Sequence, residues 1–127
     1  MVPYERLKAW QLCHELALAV YAVTDSWPKS ESYGMTRQAR RAVHSAAANI
    51  AEGSAKRGKS ELRKYLDVTL GSLSELSYTL RLARDRGMIS GEDWERLDKL
   101  RNHAGAVTWR LYESSTKKHS NAEAPDS

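Results

Sequence analysis

Residues 60–85, SELRKYLDVTLGSLSELSYTLRLARD, decide the fold class. Leu62, Leu66, Thr69, Leu73, Leu76, Leu80 and Ala83 recur at alternating spacings of four and three, the seam a helix presents to a bundle core. Ser60 is placed as the N-cap of this helix and Gly87 as the glycine that closes it. A second seam follows, Trp94, Leu97, Leu100, Ala104, Val107 and Leu111. Its helix starts at Ser90, with Asp93 three residues on in the manner of a capping box, and reaches about Thr116.

Working back from residue 60, Gly58 opens a short connection to a helix over about Thr36 to Ala55, led in by Tyr33-Gly34-Met35. Pro28, within SWPKS, breaks the chain after a first helix of about Tyr4 to Ser26. From Leu16 to Val23 every residue of that first helix is apolar or aromatic. A helix apolar all round is normally covered on more than one side, and in so small a domain the second cover is expected to be another subunit. Four helices on the order of 30–40 Å long, joined by short loops, read as an all-α, up-down-up-down four-helix bundle. The bundle occupies residues 1–116. The polar stretch 117–127, with Pro125, reads as a disordered tail.

The 127 residues make one domain. Cys13 is the only cysteine, so no internal disulfide forms and a reducing compartment is expected. No run approaches the roughly 20 apolar residues of a membrane span. The N-terminus lacks the order of a signal peptide, which points to a cytoplasmic protein. No cofactor is expected: His-x-x-x-His, Glu-x-x-His, paired cysteines and a phosphate-binding glycine loop are all missing.

Charge is uneven. Between Thr36 and Lys64 stand eight basic residues against Glu52 and Glu61, a net +6, so the rest of the chain holds −2 of the overall +4. A basic zone on a nearly neutral body suits a polyanion; the bland alternative is a solvated helical face. At about 100° per residue the second helix sorts into three faces. Ala39, Ala42, Val43, Ala46, Ala47 and Ile50 are small and apolar. Arg37, Arg40, His44, Ala48 and Ala51 form a basic face. Gln38, Arg41, Ser45, Asn49 and Glu52 form a polar stripe, matched on the third helix by Gly71, Ser72 and Glu75. The structural reading of that stripe is a hydrogen-bond network at an interface, with Arg41 facing Glu52 or Glu75 of a neighbour.

The same residues carry a resemblance. Trp10, Pro28-x-x-Glu31-x-Tyr33-Gly34, Gln38-x-Arg40-Arg41-Ala42-x-x-Ser45, Asn49-Ile50-Ala51-Glu52-Gly53 and Gly71-Ser72-Leu73-Ser74-Glu75-Leu76 occur in order between Tyr4 and Tyr112. In this the chain resembles the four-helix-bundle proteins encoded in intervening sequences of bacterial 23S ribosomal RNA genes. It is similar, too, to the accessory variability protein of diversity-generating retroelements. The resemblance implies a four-helix subunit, a ring-like homo-oligomer (a pentamer by that likeness) and a role linked to nucleic acid, without catalysis. A net charge of +4 is small for such a role, but a ring multiplies a weak patch by its copies.

Three functions follow as expectations. The first is binding of structured RNA or duplex DNA, with Arg37, Arg40, Lys56, Arg57, Lys59, Arg63 and Lys64 on phosphates. The second is a protein scaffold that docks a reverse transcriptase or a ribosome-assembly partner. The third is metal-independent RNA cleavage: Arg37 with His44, and Arg96 with His103, each share a helix face two turns apart. Twenty basic residues and four histidines also produce such spacings without purpose.

Overall fold

Helix boundaries follow the capping chemistry except at two starts: the first helix begins at Lys8 and not at Tyr4, and the third begins ahead of the expected Ser60 cap. The structure, a computed structural model, describes the backbone of residues 2–123 and the side chains of residues 2–115. After a short 3₁₀ turn at Pro3–Arg6 come α1 (Lys8–Thr24), a second 3₁₀ turn (Lys29–Glu31), α2 (Met35–Ser54), α3 (Lys59–Asp85) and α4 (Gly91–Glu123). The tail expected from Lys117 falls outside the described side chains, and its last four residues fall outside the described backbone.

The end of α3 forms as its sequence requires. Gly87 adopts φ 75°, the Gly87 N–H donates to the Arg84 carbonyl at 3.0 Å, and the Met88 N–H donates to Ala83 at 2.8 Å. That double bond pattern is the glycine-closed helix end. At the start of α4 the Ser90 hydroxyl accepts from the Asp93 N–H at 3.1 Å. Only half of a capping box forms, because the Asp93 carboxylate turns to Arg96 instead. The start of α3 is a correction: its N-cap is Gly58, not Ser60. The chain reverses there within four residues and needs φ 83°, which glycine adopts freely and serine does not.

Each helix packs on its sequence neighbours, and α1 closes against α4. Among the described residues the backbones of the diagonal pairs α1/α3 and α2/α4 stay apart, meeting only through core side chains, and there is no strand. With connections this short, successive helices run antiparallel, which makes the all-α four-helix bundle. Every member of the α3 seam lies in the interior except Leu62, which is half-buried: Leu66, Leu73, Leu76, Leu80 and Ala83 meet Leu12, Leu16, Val20, Val43, Ile50, Leu97 and Ala104 in one core. No helix is long and apolar enough to cross a membrane.

The tightest contact is α2 on α3. The small face of α2 lets the backbones approach, and the buried Thr69 hydroxyl donates across the gap to the Ala46 carbonyl at 2.9 Å. A methyl group at Gly53 would stand 2.7 Å from Tyr65 Cβ and 3.1 Å from Leu62 Cδ1. Gly53→Ala therefore forces the two helices apart. A net loss of about 1–3 kcal/mol in denaturant unfolding is expected, even after the roughly 1 kcal/mol at most that alanine would gain by propensity. A variant as stable as the parent would show that the helices slide without cost.

Cys13 is enclosed between α1 and α4. Burial pushes its thiol from 9.0 up to about 11, the neighbouring Thr108 hydroxyl opposing weakly although it makes no hydrogen bond of proper geometry. The folded thiol keeps its proton where an unfolded one has lost it. Its contribution to stability is thus complete below pH 9.0 and disappears as pH rises towards 11. Native protein is expected to resist iodoacetamide at about pH 8 and to react fully once unfolded in guanidinium. Fast labelling of the native state would reveal an opening between α1 and α4.

Candidate functional site

The seven basic residues of the sequence pattern do not form one patch. They stand at opposite ends of α2. Arg37 and Arg40 lie in its first two turns, whereas Lys56, Arg57 and Lys59 surround the Gly58 reversal, and Arg63 and Lys64 occupy the first turns of α3. Nineteen residues separate Arg37 from Lys56, roughly 28 Å along a helix.

Around the Gly58 turn the five cations have few counter-ions. Lys64 pairs with Glu61 at 2.9 Å on the surface, and the Lys56 ammonium sits 5.6 Å from the centre of the Tyr65 ring. Arg57, Lys59 and Arg63 have no ion-pair partner among the described residues. Exposed pairs such as Lys64–Glu61 are screened and weak, so the turn keeps a positive field.

At the other end Arg40 is engaged within the fold. Its Nε donates to Thr24 Oγ1 at 2.9 Å, Nη2 reaches Asp25 Oδ1 at 2.8 Å, and the guanidinium lies 4.7 Å over the Tyr21 ring. It thereby brings a cation to the C-terminal end of α1, where the helix dipole favours one. Arg37 and Arg41 extend outward beside it with no partner among the described residues. Together with Arg40 and His44 they line an open cleft of about 520 Å³. The pair Arg37 and His44 thus shares a cleft; Arg96 and His103 line a different one, beside Glu15 of α1.

The polar stripe is joined only in part. Ser72 donates to Ser45 Oγ at 2.9 Å, and Asn49 Nδ2 donates to the Ser45 carbonyl at 2.8 Å and to its Oγ at 3.1 Å. Only the Ser72–Ser45 bond ties α3 to α2; those of Asn49 stay within α2. The side chains of Gln38, Arg41, Glu52 and Glu75 are exposed and make no hydrogen bond or ion pair among the described residues. The expected pairing of Arg41 with Glu52 or Glu75 is therefore not made within one chain.

Glu31, whose part sequence spacing did not disclose, joins three elements. Its Oε1 accepts from the Met35 N–H at 3.2 Å and caps α2, while Oε2 meets Arg86 beyond α3 at 3.1 Å. The one hint was the unusual lead-in Glu31-x-Tyr33-Gly34. A Cβ at Gly34 would meet Glu31 Oε1 at 2.8 Å, so the glycine leaves room for this cap.

An antiparallel four-helix bundle with cationic groups at both ends of its second helix is the class these features define. The chain belongs to the 23S rRNA-intervening sequence protein family, whose model it matches over residues 5–110. Its fold is similar to the crystal structure of a protein of unknown function from the S23 ribosomal protein family of Bacteroides thetaiotaomicron. That likeness has a TM-score of 0.73 at 19% identity and covers 82% of this chain and 97% of that one. No curated protein matches the chain.

The geometry separates the two arginines of the basic face. Arg40→Ala is expected to cost about 1–2 kcal/mol, because Thr24 and Asp25 lose a charged donor. Arg37→Ala should change unfolding by less than about 0.5 kcal/mol. Equal effects of the two would show that the Arg40 anchor contributes nothing.

Proposed function

We propose that this protein is a non-enzymatic, cytoplasmic, oligomeric bundle that binds structured RNA or duplex DNA through the α2–α3 turn. The observation that carries this reading is the crowding of Lys56, Arg57, Lys59, Arg63 and Lys64 around one reversal, only Lys64 having a counter-ion among the described residues. Membership of a family defined by sequences intervening in ribosomal RNA supports it. Lysines and arginines placed this way address phosphates and not base edges, so the recognition is of backbone and shape.

Self-association fits what one subunit leaves uncovered. Leu18 on α1 is 61% exposed, and Tyr78 with Val68 and Leu82 forms an apolar back on α3. Between them Gly71 has no atom near the place of a Cβ, so nothing within the chain requires a glycine there. A pentameric ring is the arrangement the family resemblance suggests. It would repeat the turn cluster around one rim and raise avidity without new contacts. The exposed apolar back also favours a second reading, a scaffold for a reverse transcriptase or a ribosome-assembly partner. Capture that survives nuclease treatment would select that reading.

Fluorescence-anisotropy titrations over a range of salt test the proposal. Replacing Lys56, Arg57, Lys59 and Arg63 by Gln is expected to weaken duplex binding and to flatten the plot of log affinity against log salt by up to roughly 3.6. The oligomer, measured by light scattering, should be unaffected. An unaltered slope would remove the turn from the interface.

A further inference from the structure

Two concavities run into each other along the outer seam of α1 and α2. The first is the cationic cleft of about 520 Å³ that Arg37, Arg40, Arg41 and His44 line. The second, about 500 Å³, has a floor of Ala47, Ala48 and Ala51 and walls that include Trp10 and Leu18. Tyr21 and His44 belong to both, so the two are parts of one groove.

The cationic half is built at a cost. Arg37 and Arg41 stand four residues apart on one helix face, with Arg40 beside them, and like charges at that spacing repel. Asp25 answers Arg40. Nothing among the described residues answers Arg37 or Arg41, whose guanidinium groups are free to fork around an oxyanion, with the Thr36 and Ser45 hydroxyls on the same wall. The concentration of donors in a cleft suits a phosphate with two charges better than an isolated diester.

The apolar half asks for a flat neighbour. Its floor is methyl groups, and its walls are ring faces held in place: Trp10 stacks on His14 with centroids 4.8 Å apart and planes at 8°, and Tyr4 abuts Trp10 edge-on at 4.7 Å. Rigid aromatic walls over a small-residue floor admit a planar ring system, and the histidine edges offer polar atoms at its rim. The volume lies in the range of small-molecule sites.

We propose that this double groove binds a nucleoside 5′-monophosphate, free or as the phosphorylated 5′ end of a strand. The phosphate sits between Arg37, Arg41 and His44, and the base lies over Ala48 and Ala51 against Tyr21. Its phosphate end is roughly 25 Å along α2 from the α2–α3 turn and its base end roughly 10 Å; neither uses the cations of that turn, so the site does not depend on the turn binding polymers.

Isothermal titration calorimetry of the whole chain tests this with AMP, adenosine, inorganic phosphate, N-acetyl-phosphotyrosine and hexa-adenylate bearing a 5′-phosphate or a 5′-hydroxyl. AMP should bind at least roughly tenfold more tightly than adenosine or phosphate alone. The Arg37→Gln/Arg41→Gln variant, whose side chains hold nothing in the fold, should lose that advantage. Ala48→Trp should block AMP while inorganic phosphate still binds. The two sources are told apart by the oligonucleotides: a phosphorylated hexamer that outbinds AMP assigns a strand end, and equal binding assigns the free nucleotide. The proposal is overturned if AMP binds no better than phosphate, if phosphotyrosine matches AMP, or if the double variant binds AMP as the parent does.

Discussion

At Gly53 the second and third helices come so close that a single methyl group has no room, and most of the architecture depends on that approach. The contact is closed by Thr69 on the Ala46 carbonyl and by the Ser45–Ser72 hydrogen bond. Small residues at 39, 42 and 46 shorten the gap, and the polar atoms placed in it find partners in one another. A close approach forfeits side-chain volume in the core but brings backbone and hydroxyl groups within reach across the interface. The register of α3 on α2 follows: sliding by one residue would strand the Thr69 hydroxyl and drive Tyr65 into the α2 backbone.

Fixing that register also fixes where the charges go. With α2 and α3 clamped antiparallel, the reversal between them must be abrupt, and Gly58 takes the left-handed conformation that permits it. Lys56, Arg57 and Lys59 are then displayed on a convex tip, where no neighbouring helix can neutralise them. At the far end the same clamp brings Arg86 to Glu31, so the 3₁₀ turn before α2 is held by α3. The two cationic regions are therefore products of packing, one at a tip and the other in a seam.

Much of this was legible in the sequence. The alternating leucines of residues 62–83 specify a buried face whatever the context, and Gly87 at their end admits a single closing geometry. The N-cap at Ser60 was misplaced because a serine cap is a local preference, whereas the reversal at Gly58 is a demand of tertiary packing that propensity does not see. A linear count of basic residues from 36 to 64 gave the total charge of the zone but not its shape. Helical rise, not composition, parts Arg37 from Lys56. The seam between α1 and α2 was out of reach because Tyr21 and His44 stand twenty-three positions apart and meet only across two packed helices.

Arg37, Arg40 and Arg41 show how little residue type says without an environment. All three are arginines within five residues of one helix. Arg40 points at the end of α1, where the Thr24 hydroxyl, the Asp25 carboxylate and the Tyr21 ring satisfy its planar fork on several sides. Its charge is spent within the fold. Rotated by about 100° along the same helix, Arg41 meets no carboxylate among the described residues, and Arg37, one turn earlier, meets none of them either. An arginine without a partner stabilises little and loses rotamer freedom only when something binds it. What distinguishes an anchoring arginine from a receptive one is thus the helix end it faces, set by the crossing of α1 on α2, and the receptive pair is the one the fold can do without.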